Sequence, residues 1–148
     1  MNILKISKQT LRNNIKIIRE YIGNAKMCFP VKANAYGHGI EDIVENTHDL
    51  VDFFAVANSL EAFRVTAVAK NPVLVFGVIY YEYIEKMISE NIRVSIQDYE
   101  DIEKLEQIAK ELDKKVYAHI NINTGMNRMG VDYNDAVSCD ELSSKTLD

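Results

Sequence analysis

An apolar run at positions 27–31 ends in a lysine and a polar loop, Lys32-Ala33-Asn34-Ala35-Tyr36-Gly37-His38-Gly39. A lysine that closes an apolar strand is poised to be partly desolvated, which favours the free amine needed for Schiff-base chemistry. A lone lysine in such a place is more often a solvated surface charge. The density of Asn, Tyr, His and two Gly over the next seven residues weighs against that simpler account. Gly37 and Gly39 would let the backbone approach a ligand closely.

A second loop, Asn123-Thr124-Gly125-Met126-Asn127-Arg128-Met129-Gly130, also comes after an apolar run. The planar fork of Arg128 suits a carboxylate or another anionic oxygen. Taken alone, an ordinary turn with a surface arginine explains it as well. The chain has no GxxxxGK[ST], GxGxxG or HExxH motif. His38, His48 and His119 are scattered. His48 reads as structural, and His119 as a packed strand histidine as readily as a functional one. Tyr80, Tyr81 and Tyr83 read as packing and helix surface.

The elements that must position these loops alternate. Leu11, Ile15, Ile18 and Ile22 recur at helical spacing over 10–22. A strand is expected over 27–31, with Pro30 marking an end or irregularity, and a short helix opens at Ile40, Ile43 and Val44. Next come a strand at 53–57, a helix capped by Ser59 and running to about Ala69, a strand at 73–76, and a helix with Tyr80, Tyr83, Ile84, Met87 and Ile88 on one face. Glu82 and Lys86 stand at i,i+4 on that helix. A strand at 92–96, a helix capped by Asp98 with Ile102, Leu105, Ile108, Ala109 and Leu112 as its core face, and a strand at 116–122 complete the series. Alternation of this kind implies βαβ units and a parallel sheet. Its spacing fits an open doubly wound sheet or a barrel. Residues 131–148 are polar and weakly periodic, and read as a frayed helix or a disordered tail.

Composition narrows the partners. The net charge is −5 over 148 residues, so the chain lacks the basic face that nucleic acid or an anionic membrane needs. No apolar run could span a bilayer, and the first residues do not resemble a secretory leader. A cytoplasmic protein is expected. Cys28 and Cys139 lie too far apart, without CxxC or Cys/His spacing, for a disulfide framework or a zinc site. No metal is expected, and Cys28 is expected in the core.

The string Val31-Lys32-Ala33-Asn34-Ala35-Tyr36-Gly37-His38-Gly39 resembles the pyridoxal-phosphate attachment motif of bacterial alanine racemases. Leu11-Arg12-Asn13-Asn14 is similar to the family's first helix. Ala55-Val56-Ala57 with Ser59-Leu60-Glu61-Ala62 is similar to its second strand and helix, and Asn123–Gly130 to its Asp-Thr-Gly-Met loop. The likeness runs from about residue 3 to residue 131. It implies an α/β fold, the front part of a fold-type III (β/α)8 TIM barrel with about five βα units. Residues 1–130 would form this N-terminal part, and residues 131–148 a tail unlike the family.

By the same resemblance, Lys32 would carry pyridoxal 5′-phosphate as an internal aldimine and act as one of two bases at the substrate α-carbon. Tyr36 would hydrogen-bond the cofactor phosphate. Arg128 would contact the cofactor's phenolic oxygen and position the substrate carboxylate. The activity implied is isomerisation of L- and D-alanine, supplying D-alanine for the cell wall, by a homodimer whose second domain provides the opposite base. A chain of 148 residues cannot hold a whole barrel of roughly 200–250 residues, so little activity is expected of it alone. The alternatives are a non-catalytic cofactor-binding or assembly module, and a racemase of another amino acid such as serine. Two positions depart from the family pattern: Asn121 stands where a carbamylated lysine is often found, and Asn123 where the loop's aspartate is expected. Both remove negative charge beside Arg128.

Overall fold

The computed structural model describes residues 4–134. The expectations for Cys139 and for the tail beyond Asn134 lie outside them. The chain divides after Leu74 into two compact units.

The first unit opens with helix α1, Lys8–Ile22. The Ser7 Oγ accepts the Thr10 N–H at 3.2 Å, and Gly23, at φ +59°, ends the helix. Ile15 is buried, but Ile18, expected on the same face, is half exposed. Strand β1 (Cys28–Pro30), a single turn α2 (Lys32–Tyr36), helix α3 (Ile40–Thr47), strand β2 (Phe53–Val56), helix α4 (Ser59–Thr66) and strand β3 (Val73–Val75) come next. β1 runs parallel to β2 with Cys28 opposite Phe53 and Pro30 opposite Ala55. The order is β1-β2-β3, which leaves β1 at an edge, where a proline costs no ladder bond. Val31, Ile40, Val44, Phe54, Ala55 and Val56 form a core from which water is excluded. One carboxylate ties the helix to both strand entries. The Asp52 Oδ2 accepts from the Arg19 guanidinium and from the Met27 N–H, each at 2.6 Å.

Two expectations for this unit are corrected. Cys28 is exposed; among the described residues its edge strand has a neighbouring strand on one side only. The cap of α4 is Asn58, whose Oδ1 accepts the Glu61 N–H at 3.0 Å, and Ser59 is instead its first, fully buried residue.

In the second unit a 3-10 turn, Tyr81–Tyr83, leads into helix α5 (Ile84–Ser89), strand β4 (Ile92–Ile96), helix α6 (Tyr99–Leu112) and strand β5 (Ala118–Ile120). Ile84, Met87 and Ile88 pack inward as their spacing predicts, but Tyr80 precedes the helix and is half exposed. The Lys86 Nζ lies 3.8 Å from a Glu90 carboxylate oxygen. Asp98 caps α6, accepting the Asp101 N–H at 3.0 Å. Asp101, buried, accepts the Tyr81 hydroxyl at 2.8 Å and the Gln97 N–H at 2.9 Å. Burial and that carboxylate push the Tyr81 phenol far above the ordinary tyrosine value. β4 and β5 are parallel, with Ser95 opposite His119.

The strand expected over 116–122 breaks at Asn121. Its N–H reaches back to the Ile96 carbonyl at 2.9 Å, while its own carbonyl accepts the Val131 N–H at 2.9 Å. There the chain changes partner, and β6 (Ile122–Asn123) pairs with β7 (Val131–Asp132). Two residues read as tail therefore form a strand. Among the described residues no helix is long and apolar enough to cross a membrane.

Candidate active site

Val31 is buried at the exit of β1, and its N–H bonds the Ala55 carbonyl of β2 at 2.8 Å. Lys32 therefore leaves a strand whose end is fixed, and its side chain is half-buried. The segment after Lys32 is an ordered turn. Ala33, Asn34, Ala35 and Tyr36 all have left-handed dihedral angles, with φ between 52° and 55°. Such a turn costs about 1–2 kcal/mol for each L-residue that enters it. It is closed by the Ala35 N–H to the Val31 carbonyl at 2.8 Å and by the Gly39 N–H to the Asn34 carbonyl at 2.9 Å. Gly37 and Gly39, at φ +86° and +92°, continue in conformations that favour glycine. His38 closes on the turn through Nδ1, 2.9 Å from the Ala35 carbonyl.

The turn places chemistry at its surface. Tyr36 is 60% exposed. Among the described residues, no atom beyond Gly37 and its chain neighbours comes within 4 Å of where a Cβ on Gly37 would lie, leaving room beside the backbone. A primary amine, a phenol and an open glycine backbone thus lie within six residues of one another along the chain. An apolar groove of about 630 Å³ also runs beside this segment, lined by Leu11, Phe29, Val31, Ala35 and Tyr36 among others. Lys32 does not line it, so the groove and the amine are separate features.

Arg128 belongs to the second unit and is exposed. Its loop is organised by Asn123, whose Oδ1 accepts the N–H groups of Gly125 (3.1 Å) and Asn127 (3.0 Å). The Asn123 Nδ2 donates to the Asn127 Oδ1 at 2.9 Å, a bond a carboxylate could not make. The Asn121 Nδ2 donates to the Gln97 Oε1 at 2.8 Å, and the Gln97 amide also donates to the Phe76 carbonyl at 3.2 Å. Neutral amides thus stand at both positions where the resemblance leads to an expectation of charge. Partial burial, with the Arg93 charge adding to it, pushes His119 below the ordinary histidine value.

Both loops are legible in the sequence, but what holds their shape is not. The left-handed turn has no signature beyond its flanking glycines. The Gln97–Asn121 bond joins residues 24 apart in sequence and cannot be read from spacing.

The family model for the alanine racemase N-terminal domain matches residues 6–145. An alanine racemase of Francisella tularensis subsp. mediasiatica is 99% identical over 136 residues, which are 92% of this chain and 37% of that protein. The solved alanine racemase of Clostridium difficile superposes with a TM-score of 0.86 at 29% identity, covering 95% of this chain and 38% of that one. An alanine racemase of Bartonella henselae, solved with covalently bound pyridoxal phosphate, has the same fold, with a TM-score of 0.85 at 21% identity over 97% of this chain and 43% of that one. This chain spans about 37% of the length of the curated relatives it matches.

Proposed function

We propose, from the premise that this chain belongs to the alanine racemase family through its N-terminal domain, that it supplies the cofactor-anchoring part of a pyridoxal-phosphate-dependent racemase acting on alanine. The observation that carries this is the placement of Lys32 at a pinned strand exit, directly before a left-handed turn that exposes Tyr36. Residues 1–130 are the barrel part in this reading.

Lys32 holds the cofactor by its ε-amine and, when free, takes or returns the proton at the substrate α-carbon. The Tyr36 hydroxyl donates a hydrogen bond to the phosphate; a charge-assisted bond of this kind contributes about 1.5–3 kcal/mol. Arg128 offers its fork to the cofactor's phenolic oxygen and to the substrate carboxylate. Pyridoxal phosphate, when bound, acts as the electron sink that makes the α-carbon acidic. Proton exchange on both faces needs a second base opposite Lys32, which in this reading comes from a second domain in a homodimer, outside residues 1–148. The assembled protein would work in the cytoplasm.

Racemisation of L- and D-alanine tests this. The chain alone is expected to turn over at background. Joined to the remainder of a racemase as a dimer, it should convert both enantiomers, and Lys32→Ala should abolish that conversion. Robust turnover by the chain alone would contradict the assignment of the second base.

A further inference from the structure

Four consecutive non-glycine residues do not hold left-handed dihedral angles unaided, and two side chains of α4 grip the turn that does. Glu61 divides its carboxylate. Oε2 accepts the Ala57 N–H at 2.9 Å, at the exit of β2, and Oε1 accepts the Asn34 N–H at 3.3 Å, inside the turn. Arg64, one helical turn further along, donates to the Asn34 Oδ1 at 2.8 Å. The same guanidinium is fixed on Glu41 of α3 by two bonds of 2.6 Å. The Asn34 Oδ1 also accepts the Ile40 N–H at 3.2 Å, at the start of α3. Asn34 is therefore held at its backbone N–H by one residue of α4 and at its side chain by another.

We propose that Glu61 and Arg64 are positioning residues, which keep the Lys32–Tyr36 turn left-handed and so fix where the amine and the phenol point. Its functional meaning rests on the reading of Lys32 as the cofactor anchor. The chemistry of both residues is specific. Only a carboxylate offers two acceptor oxygens to two N–H groups, so a glutamine leaves one of them unpaired. Only a guanidinium sets two N–H groups on the two Glu41 oxygens while also donating to Asn34 from one rigid plane, so a lysine loses the fork that fixes its head group.

The test compares the full chain with Glu61→Gln, Arg64→Lys and, as a control on the exposed side of the same helix, Leu60→Ala. Amide hydrogen exchange is read at Ala35, Gly37 and Gly39, alongside the urea midpoint and the rate at which borohydride fixes pyridoxal phosphate on Lys32. Exchange at the three turn amides should rise about tenfold in Glu61→Gln and Arg64→Lys while the urea midpoint stays near that of the parent. Fixation on Lys32 should slow by about the same factor, and Leu60→Ala should match the parent. Turn amides that exchange as in the parent would overturn the proposal. So would a rise shared equally by the amides of β2 and α4, since that reports only lost stability. If Glu61→Gln does not fold, Arg64→Lys decides alone. A parent chain that takes no cofactor at Lys32 refutes the anchor reading, and exchange still decides the brace.

Discussion

A Cβ on Gly130 would lie 2.5 Å from the carbonyl oxygen of Asn121. These two residues close the base of the loop that carries Arg128. The Asn121 carbonyl accepts the Val131 N–H at 2.9 Å, and Gly130, at φ +102°, lets the chain pass close enough to donate it. Asn121 is held from the other side by Gln97. The loop's geometry thus depends on a backbone contact that no side chain permits.

Gly130→Ala should therefore be costly, through both the clash and the left-handed dihedral angle. A loss of about 1–3 kcal/mol is expected. The urea midpoint should fall, and exchange at the Val131 amide should rise more than at the β4 amides. An alanine variant with the parent's midpoint and Val131 protection would show that the close approach is not obligatory.

Acid should weaken the first unit. Arg12 grips Asp49 with two bonds of 2.6 Å, and that bonding lowers the Asp49 carboxyl from 3.8 to about 2. The bond from the Met27 N–H, then that from Arg19, holds Asp52 below its ordinary value, and Arg64 does the same for Glu41. A carboxyl depressed by folding stabilises the fold fully above its unfolded value, and that contribution is lost as pH falls through the folded one. Stability should decline between about pH 4 and pH 2. Asp49→Asn should show a shallower decline in thermal midpoint over that interval. Parallel curves for the two proteins would remove the Arg12–Asp49 pair from the account.

The sheet edges predict self-association. Among the described residues β1 is paired with β2 on one side only, and β5 with β4. Both offer backbone groups to another chain. Sedimentation of the chain alone should reveal dimers or larger species that grow with concentration. A single monomeric species across the range would count against open edges.

Helices α1, α3 and α6 are legible in the sequence because their apolar residues recur at the helical period, and five strand positions because apolar runs are punctuated by polar loops. Apolar neighbours suggest burial for Cys28, whereas its exposure comes from lying on an edge strand. Asn58 and Ser59 are both good caps, and sequence alone does not choose between adjacent candidates. Lys32 and Arg128 are noticeable as charged residues in loops after apolar runs, but their roles, and that of Tyr36, come only from the resemblance of the two loops to the family's motifs. The left-handed turn is not legible, because α4 and α3 impose it through Glu61, Arg64 and Glu41.

The most direct test of the cofactor site is chemical. The chain is incubated with pyridoxal phosphate, reduced with borohydride and digested, and the modified residue is located by mass spectrometry. A pyridoxyl group is expected on Lys32, and none there in Lys32→Ala. Tyr36→Phe should need about 10- to 100-fold more cofactor for the same labelling, as loss of one charge-assisted hydrogen bond implies. Labelling spread over surface lysines, unchanged by Lys32→Ala, would contradict Lys32 as the anchor.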